Sequence, residues 1–295
     1  MSQMEHRLRY KLNILLFLLP ALILFIGILI APILMSGYYS LFDWDGFTAA
    51  TFIRFDNYRE LFTSSRINFM RALKNALLLA GLSVFIQLPF ALWLSLKLGK
   101  GIRGEKTLLS VYFMPVLIST VVIGQLWLKI YNPSYGILNV ALRSLGLDSW
   151  TRVWLGKKET ALYAAFVPML WQYVGYHMLL MYAGVKGVPI DLLEASMLEG
   201  ATESQVNRYI VIPYIKPILK ISVIFAVTGS LKSFDLIYVL TNGGPLHATE
   251  VPSTLMIDML FLRNRYGMGS TIAIVLIGLC FLFALLINFI FREDR

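Results

Sequence analysis

Residues Asp191–Gln205 read DLLEASMLEGATESQ, four acids and one glycine set between two long apolar runs of a 295-residue chain that is 58% hydrophobic. If those runs cross a bilayer, the fold is a membrane fold and this short polar insert lies at one of its faces. Only 15% of the residues are charged, against about 25% in an ordinary soluble domain. A spanning helix needs about 20 mostly apolar residues. Six stretches qualify, at about 12–35, 75–96, 108–130, 161–184, 213–233 and 270–291. The expected fold class is an all-α membrane protein with six transmembrane helices, read as a single domain over 1–295.

The first run follows MSQMEHRLRYK and is longer than the apolar core of a signal peptide. No A-x-A-like site follows it, so it is expected to be a retained span. An even number of spans puts both termini on one side. Lys and Arg are about twice as dense in the termini and the segments 97–107 and 186–220 as in the opposite loops, which makes that side cytoplasmic. The opening stretch lies there too. The net charge of +9 then reflects membrane topology rather than nucleic-acid binding. The one cysteine, Cys280, sits inside an apolar run and the three histidines are far apart, so neither a disulfide framework nor a metal site is expected.

Within the stretch, Asp191-Leu-Leu-Glu194 has the spacing of a capping box, with Asp191 as N-cap. Gly200 is costly inside a helix and favoured just past its end. Thr202-Glu-Ser-Gln205 repeats the capping signature. The spacing predicts a first helix of about eight residues, a turn at Gly200-Ala201, and a second helix to Pro213. Leu193, Met197 and Ala201 form an apolar stripe. A helix this short does not stand alone in water, so it docks either on lipid headgroups or on a partner. Acids rather than Lys or Arg on the polar face favour a protein partner over an anionic leaflet.

The longer string EASMLEGATESQVNRYIVIPYIKP resembles the EAA signature of ABC importer permeases. Glu194, Ala195, Ser196, Gly200, Ala201, Ile210, Pro213 and Pro217 fall on that pattern, with Glu199 replacing the usual Asp and Asn207 the common Phe. SFDLIYVLTNGGP, Ser233–Pro245, and FIRFDNYRELF after the first run are similar to the maltose-permease branch. The resemblance implies a type I ABC importer fold. It makes 191–213 the cytoplasmic coupling-helix loop, with Glu194, Ala195, Ser196, Glu199, Gly200 and Ala201 seated on an ATPase.

The same resemblance implies a permease subunit that moves a sugar or oligosaccharide by alternating access across the cytoplasmic membrane of a prokaryote. Its implied partners are a second, related permease in a heterodimer, two ATP-binding subunits that hold ATP and magnesium, and an extracytoplasmic solute-binding protein. This chain itself is expected to bind no cofactor, no metal and no nucleic acid, and to contact membrane lipid. The external TNGGPL loop is placed near the pore exit, where the binding protein docks.

The polar groups at span depth are candidates for the path. Trp171, Gln172, Tyr173 and Tyr176 lie in the fourth run, where aromatic rings suit the apolar faces of sugars and amides suit their hydroxyls. Gln172 and Tyr176 share a helix face. Carried over from the family, the substrate path falls on Gln172, Tyr173 and Tyr176, and on Ser230, Ser233 and Asp235. Lys232 and Asp235, at i and i+3, are spaced to pair. His177 reads as a packed interhelical residue.

Two other classes fit the sequence less well. An ion-coupled secondary transporter usually has more spans, repeats and buried relay acids. A membrane enzyme would need a catalytic constellation, and neither H-E-x-x-H nor G-x-S-x-G is present. GKGIRGEKT, Gly99–Thr107, lacks the Lys directly after the second Gly that a P-loop requires.

Overall fold

The computed structural model describes Ile14 and residues Leu16–Arg292. The basic N-terminal flank, and the expected start of the first run near residue 12, lie outside the described residues. In chain order the helices that matter begin with α1 (Leu16–Tyr39), α2 (Asp56–Thr63) and α3 (Phe69–Leu98). They continue with α4 (Glu105–Leu117), α5 (Thr120–Ile130), α6 (Ile137–Ser144) and α7 (Lys158–Lys186). Then come α8 (Ile190–Leu198), α9 (Glu203–Val206), α10 (Lys216–Leu231), α11 (Asp235–Thr241), α12 (Pro252–Ile257) and α13 (Tyr266–Ile290).

Among the described residues, four helical segments are long and apolar enough to cross a membrane: α1, α3, α10 together with α11, and α13. The expected third span is not one straight helix. It breaks at Ile118-Ser119 into α4 and α5, which meet at 97°, and counting that pair gives five. Ile118 adopts an extended conformation, so the backbone leaves the helix although the apolar run continues. The expected fourth span is the 29-residue α7. It is long enough to cross, but Gln172, Tyr173, Tyr176 and His177 in its middle lower its hydropathy.

Two compact units divide the described chain: residues up to Ser64 with Met256–Val275, and Ser65–Leu255 with residues from Leu276 on. In the first, α1 leads into a short antiparallel ribbon of β1 (Phe42–Asp43) and β2 (Thr51–Phe52), with Phe42 opposite Phe52. Asn57 at the start of α2 is buried and donates to the carbonyls of Ser40 and Phe42, at 2.9 Å each. Arg265 grips Glu60 through two nitrogens, at 2.9 and 2.6 Å.

The second unit holds the main core, built from α3, α5, α7, α10 and α11 around Leu79, Ile123, Phe166, Leu231 and Ile237. Small residues set the approach of its helices. A Cβ at Gly175 of α7 would lie 1.8 Å from the Tyr112 carbonyl of α4, so only glycine permits that crossing.

Candidate functional site

The opening stretch forms α8 followed by a second helical segment, as expected, but its start differs. α8 begins at Ile190 with Pro189 as N-cap, and no side chain caps it. Asp191 lies inside the first turn, so the expected Asp191–Glu194 capping box is absent. The reason is local: Pro189 holds φ at −58°, a value pre-set by its ring, and the helix starts directly after it.

The end of α8 is as the sequence required. Gly200 takes φ +82°. Its amide donates to Met197 O and the Ala201 amide to Ser196 O, both at 3.0 Å, the paired bonds of a Schellman turn. Thr202 and Gln205 form the reciprocal capping box. The chain then continues helically through a π turn at Asn207–Val211 to Tyr214, so Asn207 opens that turn.

Leu193 and Ala201 pack with Val188, Val206 and Val211 against Leu96 of α3 and Val185 of α7. Met197 does not complete the expected stripe. It is exposed although it lies one turn beyond Leu193 in the same helix, and buried Ser196 faces inward instead, because the cluster beneath α8 packs on Leu193 and Ala201 but does not reach Met197. Glu194, Ala195, Glu199 and Gly200 are exposed. Beside them Ile190, Leu192, Met197 and Leu198 are uncovered, Leu198 at 90%. The segment is tied down by charge as well: Glu203 accepts from Lys100 and lies 3.7 Å from Lys97. The Lys100 bond, ahead of the charges of Lys100 and Lys97, holds the Glu203 carboxyl below the usual range.

Deeper in the same unit lies a cavity of about 340 Å³, within the usual size of ligand pockets. It brings together Gln172, Tyr173 and Tyr176 from α7 with Ser230, Ser233 and Asp235 from α10, α11 and the break between them. All six residues assigned to a path from the sequence therefore share one wall system. Gln172 and Ser233 are buried, and Gln172 Oε1 and Ser233 Oγ find no partner among the described residues. A polar atom buried without a partner is costly. Tyr176 and Phe225 supply neighbouring rings, 6.3 Å between centroids.

Lys232 and Asp235 also line the cavity but form no ion pair with each other among the described residues. Lys232 caps the end of α10 and Asp235 opens α11. The helix is interrupted between them, with Phe234 at φ −141°, ψ −64°. The i, i+3 face expected from the sequence therefore does not exist.

Four further polar residues line the cavity: Ser83, Gln87, Thr120 and His177. Gln87 donates to the Leu170 carbonyl of α7 at 2.7 Å. Ser83 and Gln87 bound a π turn in the middle of α3, a feature frequent at functional positions. Their i, i+4 spacing in an otherwise apolar run was a visible signal of one polar face. Thr120 carried none, because it reaches the cavity only through the break between α4 and α5. His177, read as packing, is buried, lines the cavity, and has Nδ1 without a partner. Among the described residues no group of three or more His, Cys, Asp or Glu is placed to hold a metal ion.

The α8–α9 segment and the cavity share their scaffolding. α3 carries Ser83 and Gln87 in the cavity and Leu96 and Lys97 at the segment. α7 carries the Gln172–His177 wall and, at its end, Val185.

The family model described as "Binding-protein-dependent transport system inner membrane component" matches residues 87–293. The probable ABC transporter permease protein YurN of Bacillus subtilis is 37% identical over 89% of this chain and 90% of its own length. The diacetylchitobiose uptake system permease protein NgcF of Streptomyces coelicolor is 30% identical, over 94% of this chain and 81% of its own. A crystal structure of a bacterial ABC transporter involved in the import of the acidic polysaccharide alginate superposes on the full length of both chains with a TM-score of 0.85, at 24% identity.

Proposed function

The chain belongs to the family of binding-protein-dependent transport system inner membrane components, and on that premise we propose that it carries a sugar or oligosaccharide across the membrane as one of two related permeases in a heterodimer. As an ABC importer permease it is a transport subunit rather than an enzyme or an ion-coupled carrier. The observation that carries the sugar reading is the cavity, whose lining joins the rings of Tyr173, Tyr176 and Phe225 to the polar side chains of Gln172, Ser230, Ser233 and Asp235. Rings cover the apolar faces of a pyranose, and unpaired amide and hydroxyl groups replace the water lost by its hydroxyls. The names of its relatives support the class, NgcF for diacetylchitobiose and MsmF of Streptococcus mutans, a multiple sugar-binding transport system permease.

Two ATP-binding subunits hold ATP and magnesium and supply the free energy. Glu194, Ala195, Ser196, Glu199, Gly200 and Ala201 form or shape the surface that meets one of them, with uncovered Leu198 and Met197 as its apolar centre. Both termini face the cytoplasm with this segment. A solute-binding protein outside delivers the sugar, and closure of the ATPases moves α8. Through Leu96 and Val185, that motion shifts α3 and α7 and changes the side on which the cavity opens.

The test is reconstitution of the chain with its co-purifying subunits in vesicles, followed by uptake of radiolabelled maltose, cellobiose and diacetylchitobiose. Uptake of at least one, dependent on internal ATP and indifferent to an ion gradient, is expected. Tyr176→Ala combined with Ser230→Leu should lower that uptake without loss of the ATPase subunits. Unchanged uptake kinetics in the double variant would reject the path.

A further inference from the structure

The ribbon β1–β2 presents aromatic side chains that nothing in its own unit covers. Phe47 at its tip is 83% exposed, and Phe52 and Tyr38 are more than half exposed. These side chains continue the surface of α1. Along that helix Ile28, Leu34, Met35 and Tyr38 are uncovered, and its most apolar window is 0% buried, as for a helix sheathed in lipid. From Tyr38 the rings run on without a gap, to Phe42 at 4.7 Å and from Phe42 to Phe52 at 5.2 Å. Only Ser40 and Leu41 separate the end of α1 from β1, so the ribbon lies where the span leaves the hydrocarbon.

The ribbon is also rigid. Trp44 stacks on Tyr39 at the end of α1, 4.6 Å between centroids, and meets Tyr266 at the start of α13 at 5.7 Å. Gly46 stands at φ +86°, and a Cβ there would come within 2.7 Å of the Tyr266 ring. The tip satisfies some of its own polar groups. Asp45 Oδ1 accepts from the amides of Phe47 and Thr48 and from the Thr48 hydroxyl, at 2.8 to 2.9 Å. The Thr48 carbonyl accepts from the Trp44 indole at 3.1 Å. These bonds hold the Asp45 carboxyl below its usual range, those from the backbone amides foremost. Asp43 lies in the field of Arg265.

We propose that the ribbon 42–52 is an interfacial anchor, seating Phe47 and Phe52 in the headgroup–acyl boundary of the bilayer at the end of α1. Two features favour lipid over a protein partner. The exposed rings continue the surface of a spanning helix, and aromatic side chains collect at the bilayer interface. Part of the tip's polar demand is already met within the unit, by the bonds to Asp45 and from the Trp44 indole, which lowers the cost of entering a water-poor layer. Because the turn is already ordered, seating it costs little conformational entropy.

The chain's single cysteine, Cys280, makes the test direct. In a Cys280→Ser background, spin labels are placed at Phe47→Cys and, separately, at Phe52→Cys. Leu24→Cys on α1 serves as the lipid reference and Ser204→Cys as the water reference. The chain and its co-purifying subunits are reconstituted in phosphatidylcholine–phosphatidylglycerol vesicles. Collision rates with oxygen and with nickel ethylenediamine diacetate are then read by electron paramagnetic resonance.

The expected oxygen-to-nickel ratio at Phe47 is several-fold above that at Ser204 and approaches that at Leu24. A ratio equal to that at Ser204 places the tip in solvent and overturns the proposal. An immobilised label shielded from both reagents places it against protein and overturns it equally. If Phe47→Cys does not insert, the label at Phe52 gives the same reading.

Discussion

Gly200 allows the link between backbone geometry and coupling to be measured one step at a time. Its φ of +82° lies in the left-handed region, which costs an L-residue about 1–2 kcal/mol. Among the described residues, its two chain neighbours aside, no atom lies within 4 Å of a Cβ built at this position, so substitution meets no steric barrier from the rest of the subunit. The cost is conformational and should rank by side chain. Asn tolerates the region best, Ala loses about 1 kcal/mol, and β-branched Val loses about 2 kcal/mol. A loss of about 1 kcal/mol shifts the population of the Schellman turn roughly fivefold.

Gly200→Asn, Gly200→Ala and Gly200→Val are each purified with the partner subunits. The amount of ATPase retained and the ratio of ATP hydrolysed to sugar transported are then measured. The expected order of retention is Gly, Asn, Ala, Val, with the chain inserted in every case. Equal and complete loss in all three variants would refute the backbone argument, because a partner atom packed against Gly200 would then decide the outcome. Retention in Val equal to wild type would refute the coupling assignment itself.

Thr202→Ala removes the capping box and should cost about 1 kcal/mol, seen as faster proteolysis between Gly200 and Tyr214 with the spans intact. Gly175→Ala drives a Cβ into the Tyr112 carbonyl and should lower the yield of folded, detergent-stable protein. Gly229 lies inside α10 and lines the cavity, with open space around an added Cβ, so Gly229→Ala should hold or slightly raise stability while altering uptake. The Glu60 carboxyl is held below its usual range, first by its bond from Arg265. A lowered native value contributes stability above the ordinary glutamate range that is lost as pH falls through the native value. With 41% of the side chain exposed, the pair should contribute less than about 1 kcal/mol. Thermal melts should therefore show Glu60→Gln below wild type near neutrality, with the gap closing as pH falls from about 6 to about 3.

What the sequence determined by itself was whatever rests on near neighbours. Apolar runs long enough to span are composition, and the Gly200 turn and the Thr202–Gln205 box are made within six residues, so both were legible. The Asp191 cap failed for the same local reason, since Pro189 two residues earlier set the helix start. Gln172 and Tyr176 were placed on one face by helical period alone.

Tertiary structure decided the rest. The break at Ile118-Ser119 turns an unbroken apolar run into two helices and brings Thr120 to the cavity, and nothing in its hydropathy marks the bend. The interruption before Asp235 separates Lys232 from the partner its spacing suggested. Met197 is left exposed because the cluster beneath α8 reaches Leu193 and Ala201 but not Met197. The polar centre of α7 is held in an apolar bundle because the cavity gives those groups somewhere to face. That compensation depends on helices distant in sequence, so it exists only once they have packed.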